Sequence, residues 1–411
     1  MSDSTSVRPS QNDLRPGSSE LGPRQAGTAE LVLLLAGSCM SVLGAVLIAP
    51  VLPQMTDAFA GTPGVAVLIP IVLTVPALMI GLAAPFAGLI ADRIDRKRVL
   101  IVAMLAYAVF GTAPLYLQSL GAIIGTRVGV GICEAAIMTC CTTLIGDYWS
   151  GARRSRYLGM QTLVAALSAT VFLGVGGILG GFGWRTPFWL YATAAILAVP
   201  MARILWRPSR RPTSDRLPAM PWRMMLVPCL VTLVGGIVFY ALIVQLSFVL
   251  TDVGVTSTAT IGGISAVMSI ATAFGSVLFA RASHHTPRML VPVSFAISAV
   301  GLATVFATRS VPVITIGAVL TGVGTGLLLP TLLTWAVNRL EFEQRGRGTG
   351  LWTGTQFIGQ FLSPLLIAGI AAGVGGLRPA LGVLAVVAAV CAVVTLFVIP
   401  RTAAPLNVTN D

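Results

Sequence analysis

Twelve apolar runs, each long enough to cross a bilayer, constrain this chain more than anything else in it. A membrane core takes about 20 residues of helix to span. The runs lie near 31–52, 65–90, 99–118, 120–146, 157–181, 187–206, 224–250, 261–280, 289–308, 312–337, 348–374 and 380–399. Long unbroken runs select helices over a barrel of short alternating strands. Of 411 residues, 55% are hydrophobic and 10% charged, against about 25% charged in a soluble domain. The chain reads as an all-α integral membrane protein.

The formal net charge of +12 has a topological origin. If the first run starts inside, 22 of the 26 Lys and Arg fall in the tails and loops of the cytoplasmic side, and only Arg185, Arg309 and Arg378 lie outside. Such a bias sets both termini inside. It argues against nucleic acid as a partner and for contact with anionic lipid. The six cysteines, Cys39, Cys133, Cys140, Cys141, Cys229 and Cys391, all fall within apolar runs without metal-ligand spacing. They read as packing residues, so no metal and no cofactor is expected.

Polar intervals divide the chain. Residues 1–28 read as a disordered cytoplasmic tail whose polar lead is too long for a cleaved signal. Residues 29–206 and 224–400 would each form a six-helix bundle, joined by a basic, Pro-containing linker at 207–223; 401–411 is a second cytoplasmic tail. At an offset of 191, Arg154, Arg156, Gly159 and Thr162 correspond to Arg345, Arg347, Gly350 and Thr353, which suggests an internal duplication.

Charges deep in a span cost roughly 2.5–3.5 kcal/mol on insertion scales. Two stand out, Arg127 and Glu134, both in the fourth run. Their spacing of seven puts them on one helix face, about 10.5 Å apart along the axis. Glu134 is either a proton carrier or one end of a fixed contact that locks this helix to a neighbour. Gln356 and Gln360 are one turn apart in the eleventh run, and with Tyr240 and Gln245 of the seventh they either line a cavity or bond between helices. Trp335 and Trp352 either stack on a substrate or pack at an interface.

The turn between the second and third runs reads Gly88-Leu-Ile-Ala-Asp92-Arg93-Ile-Asp-Arg96-Lys97-Arg-Val-Leu100. It resembles the loop between helices 2 and 3 of the major facilitator superfamily, with Asp95 where that family usually has Gly. Arg127-Val-Gly-Val-Gly131 resembles the family's fourth-helix pattern, with Val130 in place of a Gln. Gly176-Gly177-Ile-Leu-Gly180-Gly181 resembles its antiporter pattern on helix 5, with Gly177 in place of a Pro. Ala49-Pro-Val-Leu-Pro-Gln54 resembles the end of helix 1 in its drug-efflux branch.

The resemblance implies two pseudo-symmetric six-helix bundles that rock around a central site. It implies that Arg127 faces the central cavity and serves proton coupling or substrate charge. It implies that Asp92 meets the start of helix 11, that Arg96 pairs with Asp147, and that Gly88, Asp92, Arg93, Arg96, Lys97 and Asp147 gate the cytoplasmic side. The bland alternative for that loop is a charge cluster that sets topology alone.

No phosphate-binding loop or nucleophile–base pair is present, so neither ATP use nor an enzymatic activity is expected. The expected function is proton-coupled antiport exporting a small, partly apolar compound. The chain would act as a monomer in lipid, in the plasma membrane or a bacterial inner membrane. Proton symport or facilitated uptake of an organic anion is the alternative, with Arg127 on the carboxylate. A non-transporting sensor or scaffold is the alternative of another class. If the gating reading holds, Asp92→Asn leaves membrane insertion intact and impairs substrate flux in vesicles; wild-type flux would leave the topological role alone.

Overall fold

A computed structural model describes residues 26–86, 95–207, 220–400 and 406. Twelve helices in it are long and apolar enough to cross a membrane: α1 Thr28–Ala58, α2 Val65–Ala83, α3 Arg96–Leu115, α4 Leu120–Tyr148, α5 Gly151–Gly180, α6 Thr186–Ile204, α7 Trp222–Asp252, α8 Thr258–Ala282, α9 Pro287–Ala307, α10 Val311–Val337, α11 Gln344–Val374 and α12 Leu377–Val398. No strand occurs among the described residues. The helices α5 and α11 begin several residues before their apolar runs. Polar side chains that stay in water are compatible with helix, so hydropathy alone places these starts too late.

Successive spans alternate in direction, which gives the bundle two ends. One holds Arg96, Arg153, Arg154, Arg207, Arg281 and Arg345 and is the basic end; the opposite end holds Arg185, Arg309 and Arg378. Gly88, Asp92 and Arg93 lie outside the described residues, as do most of both tails and of the linker.

The helix that opens α1 stops at Val46; a 3₁₀ turn Ala49–Val51 and a short helix Leu52–Ala58 follow. Pro50 has no N–H to offer the Val46 carbonyl, so the hydrogen-bond ladder cannot continue. The last carbonyls before such a stop need other donors.

The two halves repeat one packing scheme. In the first, α1 packs on α4 and α5, α2 on α4, and α3 on α4 and α6; in the second, α7 packs on α10 and α11, α8 on α10, and α9 on α10 and α12. Each half has its own apolar core, one built around Leu34, Leu47, Met104 and Ile137, the other around Val238, Phe295, Leu328 and Leu381. Tyr240 and Val244 of α7 are buried in the core of the first half, and Phe239, Ile243 and Phe248 of α7 and Ala266 of α8 pack against it.

Two seams join the halves. Along one, α5 lies on α8; a Cβ at Gly177 would sit 2.7 Å from the Gly262 Cα and 2.5 Å from the Thr258 carbonyl oxygen. Thr170 donates to Ser269 Oγ at 3.0 Å further along. Along the other seam, α2 lies on α11, where a Cβ at Gly81 would stand 3.1 Å from the Gly354 carbonyl. The α1 break also meets α7 and α8 near the opposite end. With no difference in apolarity between lipid and protein, close backbone packing is what holds such helices together. Gly177→Leu should therefore lower the thermal midpoint of the purified protein, with an overpacking cost of about 1–3 kcal/mol. Gly174→Leu, where a Cβ meets nothing within 4 Å, should leave it unchanged.

Candidate functional site

Both deep charges are fully buried on α4, and both reach α3. Arg127 Nη1 donates to the Tyr191 hydroxyl at 2.8 Å, and Nη2 donates to the carbonyls of Gly111 at 3.2 Å and Phe110 at 3.4 Å. The guanidinium lies over the rings of Tyr191 and Phe188, 4.9 and 5.2 Å from their centroids. All of these partners belong to α3 and α6. The expectation that Arg127 faces a central cavity is therefore not met. Two aromatic rings and two helix carbonyls, groups that suit a desolvated guanidinium, turn it into the interior of its own half.

Glu134 sits against α1 and α3. The Tyr107 hydroxyl lies 3.2 Å from Glu134 Oε1 and 2.6 Å from the Met40 carbonyl oxygen. Glu134 Oε2 has no hydrogen-bond partner. A Cβ at Gly44 would fall on Oε1, so α1 needs glycine there to admit the carboxyl. The described ion pairs include none between Arg127 and Glu134. The two are linked through the rings of Tyr191 and Tyr107, 5.1 Å apart. Neither tyrosine was singled out from sequence, where an aromatic inside an apolar run gives no directional signal.

Gly131 supplies the close approach of α4 to α2: a Cβ there would sit 2.6 Å from the Pro76 Cα. The α5 glycines face two neighbours, α1 and α8. Gly176 meets the Leu47 carbonyl at the α1 break, Gly177 meets α8, and Gly180 meets Val51 and Thr258; Gly181 caps the helix.

At the basic end, Arg96 Nη1 donates to Asp147 Oδ2, which ties the start of α3 to the end of α4. Lys97 is half-buried in the same first turn. Asp95, the residue at odds with the family pattern, caps α3 by accepting from the Arg98 N–H at 3.3 Å and pairs with Arg207 at 2.9 Å.

A cavity of about 440 Å³ lies at this end, between α2, α3, α4 and the start of α11. Its walls are mostly apolar, with Arg96 and the hydroxyls of Thr139, Thr142, Thr143, Thr349 and Thr353 as polar points. The expected lining residues Tyr240, Gln245, Gln356 and Gln360 are not among its walls. Tyr240, Gln245 and Gln360 are buried instead, on faces that hold α7 against α1 and α11. Trp335 and Trp352 are also buried. Among the threonines that do line the cavity, Thr139 and Thr143 on α4 and Thr349 and Thr353 on α11 are one helical turn apart.

The sequence pattern of the Major Facilitator Superfamily matches residues 34–251 and 228–410. Multidrug resistance protein 2 of Bacillus subtilis (strain 168) is 26% identical over 179 residues, 41% of this chain and 41% of that protein. The chain thus spans about two-fifths of the length of the first curated relatives it matches. Multidrug efflux protein YfmO of Bacillus subtilis (strain 168) is 25% identical over 346 residues, 81% of this chain and 84% of that protein. Among solved structures, a bacterial homologue of the human lysosomal transporter Spinster, inward-facing and occupied, superposes with a TM-score of 0.73 at 18% identity over 90% of this chain and 95% of that one.

The seat of Glu134 can be tested by stability alone. Gly44→Ala should lower the thermal midpoint, with an overpacking cost of about 1–3 kcal/mol. In the Glu134→Ala background the same change should cost less, because the carboxyl it strikes is gone. A double-mutant cycle on the purified protein measures this coupling; strict additivity would place the carboxyl elsewhere.

Proposed function

The chain belongs to the major facilitator superfamily, and from that premise we propose that it exports a small, partly apolar compound in exchange for protons. The basic end faces the cytoplasm in this reading, with both termini inside. The bodies that move are 29–206 and 224–400, joined by 207–223, and the two separate apolar cores support that division. The plasma membrane or a bacterial inner membrane is the setting, in keeping with the bacterial relatives named for multidrug resistance and efflux.

One observation carries the proton reading. Glu134 is enclosed, keeps one oxygen unpartnered, and makes no ion pair with Arg127. A carboxylate held for structure in a membrane would be paired. The Tyr107 hydroxyl has one proton and two oxygens before it, those of Met40 and Glu134. If that proton goes to Met40, only a protonated Glu134 can complete the second contact. Once Glu134 is charged, the hydroxyl is drawn to it, because bonds to ionised acceptors are about twice as strong. The local geometry thus has two arrangements that differ by one proton.

The cavity supports the cargo reading. It is lined by apolar side chains with a few hydroxyls, the chemistry of a site for a partly apolar compound. It lies at the basic end, while the α1 break and the α5–α8 seam close the opposite end. This is the arrangement of a carrier loading from the cytoplasm. Uptake of an organic anion would need Arg127 within reach of the cargo, and its full burial within the first half disfavours that.

Purified protein in liposomes with a pH dye inside tests the proposal. A challenge with lipophilic dyes and antibiotics should move protons opposite to at least one of them. Glu134→Gln should abolish proton-driven flux and spare exchange of that compound without a gradient. Protons moving with an organic acid would overturn the antiport reading.

A further inference from the structure

Tyr240, on α7 of the second half, packs into the core of the first. It is nearly fully buried, and its hydroxyl donates to the Ala45 carbonyl oxygen at 2.5 Å. Ala45 is the next-to-last residue of the helix that Pro50 stops. Its carbonyl is therefore one of those a helix end leaves without an internal partner. The neighbouring residue, Gly44, is the seat of the Glu134 carboxyl.

The stretch Met40–Ala45 is thus held at two carbonyls by two tyrosine hydroxyls. Tyr107 holds Met40 from within the same half, and Tyr240 holds Ala45 from the other. The two carbonyls are five residues apart, about 7.5 Å along the axis. Glu134 lies between them and competes for the Tyr107 proton.

Resting on the proton-carrier reading of Glu134, we propose that Tyr240 is the positioning residue through which the second half responds to that proton. With Glu134 protonated, Tyr107 donates to Met40, α1 stays in place, and the Ala45 carbonyl meets Tyr240; the halves are closed at the end opposite the basic loops. Loss of the proton draws Tyr107 to the carboxylate and releases Met40. A charged carboxylate then lies against Gly44, α1 shifts, and the Ala45–Tyr240 bond is lost. The opposite end is then free to open. The titratable and charged groups around Glu134 are Arg127 and Cys133 on α4, Tyr107 on α3, Tyr191 on α6 and Tyr240 itself on α7. Glu134 is the only carboxyl in this set.

The test is a distance across the opposite end in the full-length protein in lipid. Spin labels on Ala60→Cys and Thr256→Cys, exposed sites on the two halves, would be read by pulsed electron resonance with the six native cysteines replaced. In the otherwise wild-type protein, the ratio of open to closed populations should change at least about tenfold between about pH 5.5 and pH 8.5, with opening at high pH. Glu134→Gln should stay closed throughout. Tyr240→Phe keeps the ring and removes the hydroxyl; its ratio should change less than about twofold over that range. Tyr240→Leu, a second way of removing that donor from the site, should behave the same way if Tyr240→Phe is not isolated as folded protein. A wild-type pH response in these variants would overturn the role of Tyr240 and leave Glu134 standing. A pH response that survives in Glu134→Gln, or none in the parent, would overturn the proton-carrier reading and this inference with it.

Discussion

The backbone carbonyl that has lost its helix partner governs this structure. In hydrocarbon no water can take over, and an unmet group costs several kcal/mol. Twelve helices satisfy nearly the whole backbone internally, so the interest lies where one stops. Pro50 stops α1 near the end opposite the basic loops. The region around the stop then collects a hydroxyl from α7, the bare backbone of Gly176 on α5, and the carboxyl of Glu134 on α4. Two helices from one half and one from the other meet on a few residues of α1. A helix that ran straight through would have offered them only saturated backbone.

The two buried charges illustrate how a membrane protein keeps opposite charges close without fusing them. Arg127 meets carbonyls, a hydroxyl and two ring faces, none of which neutralises it, and its Nε has no hydrogen-bond partner. Glu134 is served by one hydroxyl and a space the size of a missing side chain. A direct ion pair in this setting would be hard to break in either direction. Two tyrosine rings between them preserve the field of the arginine at the carboxyl while leaving the carboxyl free to change state.

Much of the fold was legible in the sequence because span length and loop charge are local properties. The twelve runs and the isolation of Arg127 and Glu134 needed no knowledge of neighbours. What needed neighbours was legible only in part: the Arg96–Asp147 pair, expected from the resemblance, is present, and other contacts were not foreseen. Arg127 was expected toward a cavity, yet Phe188 and Tyr191, sixty residues away, decide where it points. Gln356 and Gln360 drew attention as polar residues, but the cavity is walled by threonines whose hydroxyls can bond their own helix and so look neutral in an apolar run. Asp95 looked like a flaw in a pattern; it caps α3 and holds Arg207. Tyr107 and Tyr191 carried no signal, since a tyrosine shows its polar end only once its partner is known.

A carrier with one carboxyl deep in its spans has an electrical character. On the reading above, each cycle brings in one proton and sends out one molecule of cargo. For an uncharged compound, one positive charge then crosses inward per turnover. The membrane voltage adds to the pH gradient, by about 2.3 kcal/mol for each 100 mV. For a monovalent cation the exchange is electrically silent, and only the proton gradient drives it. Arg127 is sealed away from the cavity, and Arg96 on its wall is paired with Asp147, so no net protein charge from these groups selects between the two. The same protein would hold neutral compounds at steeper gradients than cationic ones, with the energised membrane rather than the binding site making the distinction.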